Sequence, residues 1–131
     1  MSKTVLIVED EVLVAMDLED IVNGAGHTVI GIAPDRSSVS ALVQVPEIAL
    51  VDLNLRDGAT GAEIARRLSS TGVTTVIFIT ANPAQIGEPP EGSLGYVQKP
   101  FSPEAIVSAL ELAATGLGGS LPQGLHLFSG R

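Results

Sequence analysis

The sequence predicts an α/β fold, a five-stranded parallel sheet with helices on both faces. Three observations predict it. Five short apolar runs recur along the chain, at Val5–Val8, Val29–Ala33, Ile48–Val51, Val76–Ile79 and Leu94–Val97. Several are nearly continuous in Val, Ile and Leu, as strands buried on both faces are. Helix-patterned stretches separate most of them, and that alternation implies parallel strands joined by right-handed crossovers.

Each element has its own signal. After the first run, Glu11 to Ala25 places Val14, Leu18, Ile21, Val22 and Ala25 on one helical face. Gly24 and Gly26 close that helix, Gly26 suiting the position just past its end. Val39, Leu42 and Val43 mark a shorter second helix. Thr60-Gly61-Ala62-Glu63 reads as a capping box opening a third, with Ile64, Ala65 and Leu68 facing inward. From Asn82 to Ser93 the pattern breaks. Pro83, Gly87, Pro89, Pro90 and Gly92 leave any fourth helix short, irregular or absent. Ser102-Pro103-Glu104 is a strong helix start: a cap, a proline at the first position and an acid in the first turn. Ile106, Val107, Leu110, Ala113 and Ala114 form the buried stripe of that last helix.

Residues 1–115 are read as one domain, an ordinary size for a single core. Residues 116–131, rich in Gly and Leu and free of acids, are expected to be a flexible tail outside it. Leu117, Leu121, Leu125 and Phe128 do recur at helical spacing. The intervening glycines and Pro122 argue against a helix, and disorder is the expectation.

Composition narrows the function. Fifteen acidic residues against seven basic ones give a formal charge of −8, and Arg66-Arg67 is the only basic pair. A nucleic-acid surface needs a basic stripe, so no nucleic-acid partner is expected. No cysteine is present, which excludes disulfides and thiolate metal sites. The first apolar run is too short for a secretion signal or a membrane span, so a cytoplasmic location with no membrane partner is expected.

In an open α/β sheet, ligands bind beyond the C-terminal strand ends, where the strand order reverses. Those ends read Glu9-Asp10-Glu11, Asp52, Thr80-Ala81 and Gln98-Lys99-Pro100. Taken singly, each has a plain structural reading. An acidic run caps a helix, a lone Asp starts a loop, a lone Lys is solvated, and a Thr completes a strand. Together they differ. Carboxylates converging from the first and third strands repel one another unless a cation binds. An all-oxygen donor set without His or Cys points to Mg²⁺.

With these segments in view, the sequence resembles the receiver domain of two-component response regulators. The likeness runs from Lys3 to about Ala114 and is carried by VLIVEDE, ALVDLNLRDG, VIFITA and YVQKPF. It implies the flavodoxin-like strand order 2-1-3-4-5. It implies that Asp52 accepts a phosphoryl group from a sensor histidine kinase in a Mg²⁺-dependent step. Glu9 and Asp10, with Asp52 and the backbone carbonyl of Asn54, would hold the metal. Thr80 and Lys99 would bind the phosphoryl oxygens, the Lys99-Pro100 bond would be cis, and Thr80 and Tyr96 would form the conformational switch. Two departures stand out. Many receivers carry two aspartates where this chain has Glu9-Asp10, which puts the metal affinity in question. The segment after Thr80 is unusually poor in helix formers. A subgroup of stand-alone alphaproteobacterial receivers has an extended motif there; Phe78 and Thr80 fit it, whereas Ile79, Ala81 and Pro83 do not follow it closely.

The function expected is that of a single-domain response regulator. It would signal to a downstream protein or phosphotransfer partner in a phosphorelay, and would not turn over a separate substrate. An aspartyl-nucleophile phosphatase would place a second acid two residues beyond Asp52, where this chain has Asn54. A mononucleotide-binding module would need a phosphate-cradling loop after the first strand, and Glu9-Asp10-Glu11 repels phosphate.

Overall fold

The structure is a computed structural model describing residues 2–116 and 121–128. The strands are β1 (Thr4–Val8), β2 (Thr28–Ala33), β3 (Ile48–Val51), β4 (Thr75–Thr80), β5 (Ser93–Gln98) and β6 (Leu125–Leu127). The helices are α1 (Val12–Gly24), α2 (Arg36–Ser40), α3 (Gly61–Ser69) and α4 (Pro103–Thr115). The six strands form one sheet of order β2-β1-β3-β4-β5-β6, parallel except for the β5–β6 pair. The five apolar runs are thus the five parallel strands, in the order the resemblance implies.

Two apolar layers flank the sheet. On one face, Ala15, Leu18 and Val22 of α1 and Ala105, Ile106, Ala109 and Leu110 of α4 pack on Val5, Ile7, Leu50, Ile77 and Ile79. On the other, Ile64, Ala65 and Leu68 of α3 pack with Leu6, Val8, Val51 and Phe78. The start of α4 follows the sequence signal: the Ser102 side chain accepts a hydrogen bond from the Ala105 N–H. Gly116, at φ 72°, ends that helix in the left-handed region.

Three local expectations are corrected. The Thr60 capping box does not form: Thr60 Oγ1 donates to Asp57 Oδ1, and Glu63 pairs with Arg36 instead of reaching back. The second helix stops at Ser40. Asp35 caps it by accepting from the Ser38 N–H, but a run of serines sustains only one turn or so. Leu42 lies beyond that helix and packs on the second layer, whereas Val43 is fully exposed. Between β4 and β5, where a short, irregular or absent helix is expected, a single 3₁₀ turn, Pro83–Ile86, stands in its place and buries only Ile86.

The third correction concerns the C-terminal segment. Residues 117–120 and 129–131 lie outside the described residues. Leu125–Leu127, expected in a flexible tail, instead pairs antiparallel with β5 and covers what would be an open sheet edge. Gly95 makes room for it. A Cβ at Gly95 would lie 2.1 Å from the His126 carbonyl oxygen, so only glycine allows that approach.

Candidate functional site

The strand order reverses at β1 and β3, so the ends of these strands open onto a crevice. Backbone ladders continue one residue past each strand and fix the groups that follow. Asp52 N–H donates to the Val8 carbonyl (2.9 Å), Glu9 N–H to Ala33 (3.0 Å) and Lys99 N–H to Thr80 (2.9 Å). Gly61, the first residue of α3, seats on the turn after β3. Its N–H donates to the Leu53 carbonyl at 3.0 Å, and a Cβ there would stand 2.0 Å from the Asp52 carbonyl oxygen. The backbone of Asp52 is therefore held from both sides.

Lys99 is the centre of the charge arrangement. Its Nζ lies 3.1 Å from Asp52 Oδ2 and 3.1 Å from Glu9 Oε1. The Glu9 carboxylate is almost wholly enclosed, with 1% of its side chain exposed. Burial pushes its pKa up to about 7; the Asp52 charge adds to this, and the Glu11 N–H and Lys99 work against it. Burial also disfavours the Lys99 ammonium, but the Glu9 and Asp52 carboxylates together outweigh it and hold that pKa above its ordinary value. The second Glu9 oxygen accepts from the Glu11 N–H at 3.1 Å, which ties the start of α1 to the site.

Glu9, Asp10 and Asp52 each offer a carboxylate oxygen, and these atoms lie within 4.8 Å of one another. Three hard oxygen donors on one side of a crevice suit a small divalent cation that keeps part of its water shell. The crevice has a volume of about 320 Å³, and Asp10, Asp52, Asn54, Thr80, Asn82 and Lys99 are on its walls. A wider depression of about 890 Å³ lies between the start of α4 and residues 121–126, but none of Glu9, Asp10 and Asp52 lines it.

The other singled-out residues divide into two groups. Thr80 is buried, and its Oγ1 accepts from the Asn82 N–H at 3.0 Å. Asn54 is at the mouth, its N–H 3.5 Å from Asp52 Oδ1. Tyr96 lies outside the crevice; its ring stacks on His126, with centroids 4.7 Å apart. The Lys99-Pro100 bond is cis. Sequence reasoning missed Gln85. Its side-chain amide pairs reciprocally with that of Asn54, at 3.1 and 2.8 Å, across the mouth. It also missed Gly61, passed over inside an apparent capping box, and His126 and Phe128, assigned to a tail.

Residues 5–111 match the response regulator receiver domain family. The chain belongs to that family. Aspartyl phosphorylation and Mg²⁺ binding at an acidic pocket are general features of such receivers, which are signalling proteins of two-component systems. Among curated proteins, this receiver is 39% identical to the phyllosphere-induced regulator PhyR of Methylorubrum extorquens, over 86% of this chain and 44% of that protein. It is 29% identical to the transcriptional regulatory protein PdtaR of Mycobacterium tuberculosis, over 86% of this chain and 57% of that one. The chain thus spans about half the length of these relatives. Among solved structures, it aligns with the receiver domain of Erythrobacter litoralis PhyR at TM-score 0.76 and 30% identity, covering 92% of this chain and 96% of that one. It aligns with the anti-anti-sigma factor PhyR of Bartonella quintana at TM-score 0.74 and 32% identity, covering 87% of this receiver and 48% of that chain. Among the described residues, no helix is long and apolar enough to cross a membrane.

Proposed function

We propose that this receiver accepts a phosphoryl group on Asp52 from the phosphohistidine of a sensor kinase and passes the signal to a protein partner. One observation carries the reading: Lys99 holds a carboxylate oxygen of Asp52 at 3.1 Å, and Glu9, Asp10 and Asp52 bring carboxylate oxygens within 4.8 Å of one another. A carboxylate oxygen of Asp52 attacks phosphorus. The O–P bond forms as the P–N bond to the donor imidazole breaks, and the electron pair leaves with the imidazole, which takes its proton from solvent. Positioning and charge neutralisation do most of this work.

Each residue then has a role. Lys99 leaves Glu9 to face the incoming phosphoryl oxygens, and the Thr80 hydroxyl turns from the Asn82 N–H to donate to one of them. Glu9, Asp10 and Asp52, with the Asn54 carbonyl, would hold Mg²⁺, and the ion would supply positive charge against developing negative charge on the phosphoryl group. The apolar side chains of Val12, Leu13 and Met16, all exposed on α1 beside the pocket, offer a surface on which a donor domain can seat.

Labelling with radioactive acetyl phosphate tests the reading. The wild-type protein is expected to take up label in Mg²⁺ and not in a chelator, and Asp52→Asn is expected to take up none. Equal labelling of Asp52→Asn would refute the assignment.

A further inference from the structure

The C-terminal segment occupies a place on the sheet larger than itself. β6 has three residues, of which only Leu125 is buried. Its ends are pinned by two backbone bonds, Gln98 N–H to the Gly124 carbonyl (2.9 Å) and Phe128 N–H to Leu94 (3.1 Å). The Phe128 ring meets Phe78 edge-on at 6.3 Å and Tyr96 at 6.2 Å, while His126 stacks on Tyr96. This is the face that the 3₁₀ turn at Pro83–Ile86 fails to cover as a helix would. A cavity of about 410 Å³ remains beside Leu127 and Phe128, running along Leu94 toward Thr75 and Glu91. A three-residue edge strand with one buried side chain is weakly held, and the groove has room that it does not fill.

The groove is also wired to the proposed phosphorylation site. Thr80 and Phe78 lie two residues apart on one face of β4, and Phe78 is paired in register with Tyr96. Movement of Thr80 toward a phosphoryl group frees volume above Phe78. Tyr96, beside Phe78 and stacked on His126, would pass a shift there to the C-terminal segment.

We propose that residues 124–128 are the resting occupant of a docking groove formed by the β5 edge, Phe78 and Tyr96. Phosphorylation releases them, and an extended apolar-aromatic segment of a partner protein adds to β5 in their place. Main-chain bonds to β5 supply affinity, and an aromatic side chain in the Phe128 position supplies specificity. This rests on the reading of Asp52 as the phosphoacceptor. Gly95 is the element that makes the edge accessible to any such strand.

The test uses the full chain with and without acetyl phosphate and Mg²⁺, with label uptake measured in the same samples. Amide exchange at Gln98 and Phe128 is expected to accelerate at least about tenfold on phosphorylation. Tyr96 is the only tyrosine and there is no tryptophan, so intrinsic emission reports this one ring; quenching by acrylamide is expected to change in step. A fluorescent peptide of residues 122–128 added to Phe128→Ala protein, whose own segment is loosened, is expected to bind the resting form at least about tenfold more tightly than the phosphorylated one. Phe128→Ala is expected to admit the peptide without phosphorylation. Gly95→Ala, labelled like wild type, is expected to exclude it in both states. Normal labelling with unchanged exchange, or equal peptide binding in both states, would overturn the groove proposal alone. Absence of labelling would overturn the phosphoacceptor reading beneath it.

Discussion

Lys99 Nζ stands 3.1 Å from Asp52 Oδ2 while also 3.1 Å from Glu9 Oε1, so one ammonium bridges two carboxylates delivered by two other strands. Removing it leaves both enclosed acids without a cation, held only by backbone N–H groups of Glu11 and Asn54. Lys99→Ala is therefore expected to lose about 3 kcal/mol of stability at pH 8 without metal. The loss is expected to be smaller at pH 5, where Glu9 carries a proton. Chemical denaturation at the two pH values checks this; an equal loss at both would contradict it.

The raised Glu9 pKa sets a direction for the stability of the metal-free protein. A carboxyl that titrates near 7 when folded, against an ordinary value of 4.5, holds its proton more tightly in the folded state. Its contribution is full below about pH 4.5 and is lost as pH rises through about 7, with a slope no steeper than about 1.4 kcal/mol per pH unit. Glu9→Gln is expected to flatten that decline. Magnesium requires the ionised form, so its affinity is expected to rise across the same window, as titration calorimetry would show.

Asn54 and Gln85 close the mouth of the crevice through paired amides. Gln85→Ala is expected to cost about 1 kcal/mol and to speed exchange of the Gln85 amide, which donates to the Asn82 carbonyl. Unchanged exchange there would mean that the 3₁₀ turn is held by Ile86 burial alone.

Gly61 has a steric role that Gly24 does not. A Cβ at Gly61 overlaps the Asp52 carbonyl and Leu53 Cα, whereas one at Gly24 meets nothing within 4 Å. Gly61→Ala is expected to destabilise by about 2 kcal/mol or more and to depress Asp52 labelling. Gly24→Ala, at the end of α1, is expected to stabilise slightly, by up to about 1 kcal/mol. Thermal unfolding of the two variants separates these outcomes.

The five parallel strands were legible because each is a run of apolar residues with no competing pattern. The acids and Lys99 were legible because strand ends are where such groups gather. The rest depended on contacts that leave no local trace. Three residues of β6 are too few to show an alternation, and Gly95, which admits them, reads as an ordinary weak point in a strand. Thr60 and Glu63 have the spacing of a capping box, but Asp57 and Arg36 compete for both side chains and win. Gln85 sits among prolines and glycines where no period exists, so its pairing with Asn54 emerges only in three dimensions.

The most direct test of Asp52 is to phosphorylate the protein with acetyl phosphate in Mg²⁺ and reduce the acyl phosphate with borohydride. Reduction converts a phosphorylated aspartate to homoserine, and peptide mass spectrometry locates it. Homoserine at position 52, with Glu9 and Asp10 intact, is the expected result; modification at another carboxylate, with position 52 unchanged, would contradict it.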